Sequence, residues 1–202
     1  MRRIKFLSEE EFIKLSICDV VAVTGPMAAG KNYICNYLES QGFVSLDADQ
    51  VAHQAIEIAT PKILETFKPY ADAKGVVLEK SDGSLDRRAL GTIVFSDESL
   101  LAKQESIVYP IITEKFNEFI AANPDKKILI NATVLYKTTA LMEKCDLILY
   151  VTAPFFTRLN RAKNRDGLPL KQILNRFKNQ KGLLQQYKKT GKEIIIINNK
   201  NN

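Results

Sequence analysis

The stretch G-P-M-A-A-G-K, from Gly25 to Lys31, has the spacing of a loop that wraps backbone N–H groups around phosphate. Gly25 and Gly30 permit the backbone geometry and the close approach such a loop needs. Lys31 can reach the β and γ phosphates as a point charge. The apolar run "DVVAVTG" precedes the loop and the helical pattern "KNYICNYLESQ" comes after it, so the positive end of a helix dipole would face the phosphates. Gly25, Ala28, Ala29, Gly30, Lys31, Asn32 and Tyr33 are therefore candidate nucleotide contacts. The usual pattern continues with Ser or Thr, whose hydroxyl helps hold Mg²⁺. Here the position is Asn32, and an amide oxygen can also ligate a hard cation, so Asn32 is the candidate metal ligand. The bland reading is a Gly-rich strand-to-helix turn with a solvated lysine.

Further on, Asp47 and Asp49 stand at the end of an apolar segment, at the edge of an α/β sheet where ligands bind. A carboxylate there could orient a hydroxyl acceptor and take its proton. It could equally cap the next helix, and both roles can coexist. His53 is the lone histidine and lies four residues after Asp49, on the same helix face. Substrate contact and plain solvent exposure are both open for it. Arg161 and Arg165 are also four apart, and two guanidinium groups on one face suit the spread charge of a transferring phosphoryl group. The competing reading is a solvated helix face.

The elements that would position these groups can be read from hydrophobic patterning. Runs at 19–25, 126–133, 146–153 and 193–198 are continuously apolar, and 42–47 is a weaker fifth. Continuous apolarity predicts strands covered on both faces, and strands alternating with helices predict a doubly wound parallel α/β sheet. Roughly eighty residues between Asp47 and Lys126 contain no strand pattern, which predicts a helical insertion. That insertion holds a turn at 80–86 and a long helical pattern at 96–122 that Pro110 should kink or split. A second insertion, 158–180, is basic, with a Gly-Leu-Pro break near its middle.

Bulk composition bounds the rest. The chain has 202 residues, enough for one α/β unit with insertions. A net charge of +6, from 29 basic and 23 acidic residues, fits an anionic substrate and would also fit weak nucleic-acid binding. Cys18, Cys35 and Cys145 are far apart and odd in number, which suggests neither a disulfide framework nor a zinc site. The N-terminal stretch has no signal-peptide core, and no apolar run reaches the roughly 18 residues of a membrane span. A cytoplasmic protein is expected. The first eighteen residues read as an amphipathic extension that packs on the core.

At this point the chain resembles the dephospho-CoA kinases. "SLDADQVAHQ" (45–54) is similar to that family's D-A-D-x-x-A-H segment. "DGSLDRRALGTIVFSDESLLAKQESIVYPII" (82–112) is similar to its G-x-L-D-R-x-x-L…I-V-F…L-E-x-I-x-H-P stretch. "NATVLYK" (131–137) occupies the place of D-x-P-L-L-F-E. "TRLNRAKNRDGLP" (157–169) and "NRFKNQ" (175–180) resemble the lid and the region after it. The loop alone fits many families, but this ordered combination is specific. Asn32, Tyr33, Tyr109, Asn131, Thr133 and Lys137 depart from the pattern, and those at Asn32 and Asn131 weaken the expected magnesium environment.

The resemblance implies a P-loop NTPase fold with a five-stranded parallel core (1–47, 124–157 and 181–202), a helical acceptor-binding insertion (48–123) and a lid (158–180). It implies transfer of the γ-phosphoryl of ATP to the ribose 3′-hydroxyl of dephospho-CoA, with Mg²⁺. Catalytic roles fall to Asp49, Lys31, Arg165 and Arg161, and acceptor contacts to Asp47, Asp49, His53 and Arg87, with Asp47 nearer the magnesium or the loop. Asn198 and Asn199, after the last strand, would lie near the adenine. The expected partners are ATP and dephospho-CoA, with no nucleic acid and no membrane, in a monomer or weak homo-oligomer. Two alternatives stay open: another P-loop small-molecule or nucleotide kinase, and a catalytically impaired ATP-binding homologue.

Overall fold

The computed structural model describes residues 6–200. Five strands form one parallel sheet: β1 (Val20–Thr24), β2 (Val44–Asp47), β3 (Ile128–Asn131), β4 (Leu147–Thr152) and β5 (Glu193–Asn198). Their order is β2-β3-β1-β4-β5, and every pairing is parallel. The five apolar runs thus all become strands. β1 and β3 are buried along their whole length, as continuous apolarity predicts for strands covered on both faces. β5 differs. It lies at the sheet edge, where Ile195 and Ile197 are buried while Glu193 and Ile196 are exposed, so an apolar run here does not mean two covered faces.

The helices are α1 (Glu9–Ser16), α2 (Lys31–Glu39), α3 (Ala48–Ile58), α4 (Thr60–Lys74), α5 (Arg87–Val94), α6 (Glu98–Ala121), α7 (Thr139–Lys144), α8 (Phe155–Asp166), α9 (Leu170–Asn179) and α10 (Leu183–Lys188). The chain divides into two units, Met1–Ala48 with Ile120–Asn202, and Asp49–Phe119. The first carries the sheet. The second is helical apart from one antiparallel bridge, Glu79 to Leu85, that closes the expected turn at 80–86.

Pro110 does not split the long helix of the second unit: α6 runs through it from Glu98 to Ala121. An internal proline costs about 3 kcal/mol through its lost N–H and ring clash. Val108, Ile112 and Phe116 are buried on either side of it, and burying side chains of this size contributes about 1.5–3 kcal/mol each. Tertiary packing therefore outweighs the local penalty.

From Phe6 onward the N-terminal extension packs on the sheet unit, as expected, and the part of that expectation on residues 1–5 lies outside the described residues. Ser8 and Glu11 form a reciprocal cap for α1, with Glu11 N–H donating to Ser8 Oγ at 3.2 Å and Ser8 N–H to Glu11 Oε2 at 2.7 Å. Leu15 is fully buried in the same apolar cluster as Val21, Ile34, Leu38 and Leu149. Phe6 meets Tyr33 and Tyr37 of α2 edge-on, at 5.6 and 5.9 Å between ring centres.

Candidate active site

The loop 25–31 sits between β1 and α2, at the carboxyl edge of the sheet. Gly25 has φ 145° and its Cα faces the Val151 carbonyl so closely that a Cβ there would collide with backbone. Gly30 has φ 97° and caps α2, and a Cβ on it would strike the Asn199 amide. Both positions therefore need glycine. Ala28, with a Cβ, nevertheless adopts φ 61°. Left-handed backbone costs such a residue about 1–2 kcal/mol, so the surrounding structure must hold it there.

Four side chains from the last quarter of the chain do so. Arg161 donates from Nη1 to the carbonyls of Ala28 (3.3 Å) and Ala29 (3.2 Å), and from Nη2 to the carbonyl of Asn199 (3.2 Å). Asn199, itself 1% exposed, donates from Nδ2 to the Ala29 carbonyl at 3.0 Å. Arg158 Nε donates to the Met27 carbonyl at 2.9 Å, with its guanidinium 4.2 Å from the Phe177 ring centre. The Met27 N–H donates to Gln180 Oε1 at 2.7 Å. Beneath these bonds Met27 packs with Ala162, Ile173 and Phe177. Burial pushes the Arg158 guanidinium below its ordinary value, and its Nη2 is buried without a hydrogen-bond partner.

This bracket sets the direction of the loop amides. The C=O and N–H of one trans peptide point opposite ways. With the Met27 and Ala29 carbonyls held by Arg158, Arg161 and Asn199, the N–H groups of Ala28 and Gly30 point away from these side chains. Lys31 Nζ donates back across the loop to the Gly25 carbonyl at 3.1 Å. Asn32 Oδ1 accepts from Asn131 Nδ2 at 2.9 Å.

The remaining candidates lie on β2 and on helices of both units. Asp47 closes β2, opposite Asn131 in the register with β3. Asp49 and His53 lie on α3, Asp49 in its first turn and His53 exposed. Arg165 is exposed on α8, one turn after Arg161. Tyr33 is 39% exposed and turned toward Phe6. In the helical unit, Arg87 Nη2 donates to Glu57 Oε1 (3.0 Å) and to the His53 carbonyl (3.2 Å). Arg87 also lines a cavity of about 720 Å³, with Glu57, Thr60, Lys80, Asp86 and Arg88, within the size range of small-molecule sites.

Sequence reasoning gave Gln180 no role, because nothing local marks a glutamine that will meet a loop over 150 residues earlier. Tyr187 was missed likewise. Its hydroxyl donates to the Thr133 carbonyl (3.1 Å) and accepts from the Leu135 N–H (2.9 Å), fixing the segment after β3, and burial pushes it up to about 12.

A family model described as dephospho-CoA kinase matches residues 19–202. The chain belongs to the dephospho-CoA kinase family. A dephospho-CoA kinase of Treponema denticola is 40% identical over 184 residues, covering 89% of this chain and 82% of that protein. One from Treponema pallidum is 35% identical over 172 residues, covering 84% and 81%. A solved dephospho-CoA kinase from Campylobacter jejuni superposes with a TM-score of 0.64 at 26% identity, over 91% of this chain and 89% of that one. The fold is the expected P-loop kinase fold, and the chain is a transferase of coenzyme A synthesis that uses ATP as phosphoryl donor. The match begins at residue 19, so α1 precedes the part shared with the family model. Among the described residues, no helix is long and apolar enough to cross a membrane.

Proposed function

We propose that this chain moves the γ-phosphoryl of ATP to the ribose 3′-hydroxyl of dephospho-CoA, giving ADP and coenzyme A. The observation that carries this reading is the bracketed loop, whose backbone is held for phosphate by Arg158, Arg161, Gln180 and Asn199. Phosphoryl transfer is mostly a matter of positioning and charge neutralisation, and these are what the residues here supply. The loop from Gly25 to Asn32 seats the triphosphate, and Lys31 neutralises its β and γ groups. Asp49 orients the acceptor hydroxyl and takes its proton. The acceptor oxygen then bonds to the γ phosphorus as the bond to the β–γ bridging oxygen breaks, and ADP leaves. Arg161 acts through the loop it holds, and Arg165 meets the transferring group. Asp47, His53 and Arg87 serve the acceptor, Arg87 from the wall of its cavity.

Mg²⁺ fits this site only in a restricted way. Asn32 Oδ1 is the ligand the loop offers, and the Asp47 carboxylate stands in register with Asn131. The Asn32 oxygen is neutral, and one of its two lone pairs is used by Asn131. When bound with the nucleotide, the ion supplies positive charge against the phosphates. Residues 48–123 form the acceptor part, 158–180 the lid, and the rest the core. The expected setting is the cytoplasm, as a monomer or weak homo-oligomer with no nucleic-acid or membrane partner.

The test is direct. Purified chain with ATP, Mg²⁺ and dephospho-CoA should form coenzyme A and ADP in equal amounts. Turnover only with a nucleoside monophosphate would point to another kinase of this fold, and ATP binding without turnover to an impaired homologue.

A further inference from the structure

We propose that the Asn32–Asn131 amide pair uncouples ATP affinity from divalent metal, so that metal arrives held by the nucleotide and is not anchored by the chain. This rests on the reading of the loop as an ATP site. Asn131 ends β3, is 7% exposed, and donates to Asn32 at the start of α2, 99 residues away in sequence. Asn32 is the position at which a loop of this spacing normally presents a hydroxyl to Mg²⁺. The pair is neutral whichever amide donates, so neither residue offers the charge that attracts a dication.

The positive charge around the loop comes from three sources, and one carboxylate lies beside the pair. Lys31 spans the loop, Arg161 grips its carbonyls, and α2 points its positive end at the same place. The carboxylate of Asp47 is one strand over, in register with Asn131. Among the described residues, no group of three or more His, Cys, Asp or Glu could hold a metal ion. A tetra-anionic nucleotide therefore meets positive charge whether or not it carries a metal. The hydrogen bond between the two side-chain amides also ties the first turn of α2 to the end of β3. The loop thus keeps its form without metal.

The experiment is calorimetric titration of the full chain with ATP, in Mg²⁺ and in EDTA. The two Kd values should agree within about threefold. Asn131→Asp adds a negative charge at this point while preserving shape, and the Asn32 amide nitrogen can donate to it. This variant should bind metal-free ATP about tenfold more weakly than ATP with Mg²⁺. In thermal melts without nucleotide, Mn²⁺ should raise the Tm of Asn131→Asp, and of Asn32→Ser/Asn131→Asp, while leaving the wild-type chain unchanged. A wild-type Kd that worsens more than tenfold in EDTA would overturn the proposal, as would an Asn131→Asp variant with equal affinities in both conditions. A structural tie alone would shift melting temperature without creating metal dependence. Coenzyme A formation in Mg²⁺, measured alongside, tests the function reading separately.

Discussion

The sheet unit and the helical unit hold their polar groups in different ways. In the sheet unit, the loop is gripped by side chains more than 130 residues away, and the donors are buried or half-buried. In the helical unit the charged groups are half-buried or exposed and their bonds span shorter stretches of chain. Asp86 caps its own helix through the N–H groups of Arg88 and Ala89, which hold its carboxyl below the usual range. Arg87 reaches Glu57, whose side chain is 72% exposed. An exposed ion pair of this kind is worth about 0–1 kcal/mol. The lesson is one of division of labour. The loop is held by buried long-range bonds, while the cavity of the helical unit is walled by charged side chains open to water.

That contrast can be broken by substitution. The largest effect is expected from Asp49→Asn, which should lower kcat by about 10²–10⁴ while leaving ATP affinity unchanged, as steady-state kinetics and calorimetry would show. Equal losses in both would remove the base role. Arg161→Ala should weaken ATP about 10–100-fold, since hydrogen bonds to a charged group contribute about 1.5–3 kcal/mol. Its KM for dephospho-CoA should move little. If both KM values rise together, the bracket is not specific to the donor side. Arg87→Ala should do the reverse, raising KM for dephospho-CoA by about tenfold with KM for ATP intact. The smallest effect concerns chemistry away from the site. Burial raises all three thiols, those of Cys35 and Cys145 up to about 12, but Cys18 alone is partly exposed, so titration at neutral pH with a disulfide reagent should find Cys18 alone in the native protein and all three thiols in denaturant. Rapid labelling of Cys35, on the buried face of α2, would mean that the sheet unit opens more readily than its packing indicates.

Much of this was legible in the residues because it is written locally. Strand, Gly-rich loop and helix succeed one another without a gap, so the cradle could be placed from spacing and hydrophobic pattern alone. Asp49 and His53, or Arg161 and Arg165, share a helix face by simple periodicity. The failures have the same root. Pro110 does not split α6, because the buried neighbours on both sides of it outweigh its local cost. The apolar run of β5 suggested two covered faces, but coverage depends on where a strand lies in the sheet, and β5 lies at its edge.

By itself, then, the chain determined its strand–loop–helix succession, its five strands, its long helical stretch and, through ordered motifs, its family. Only the tertiary structure decided that Arg161 faces the loop carbonyls, that Gln180 and Asn199 help hold them, and that Asn32 and Asn131 satisfy each other. The reason is physical. Periodicity reports which residues share a face, whereas a hydrogen bond between residues 99 apart exists only once the β2-β3-β1-β4-β5 order has brought strand ends and helix starts to one edge.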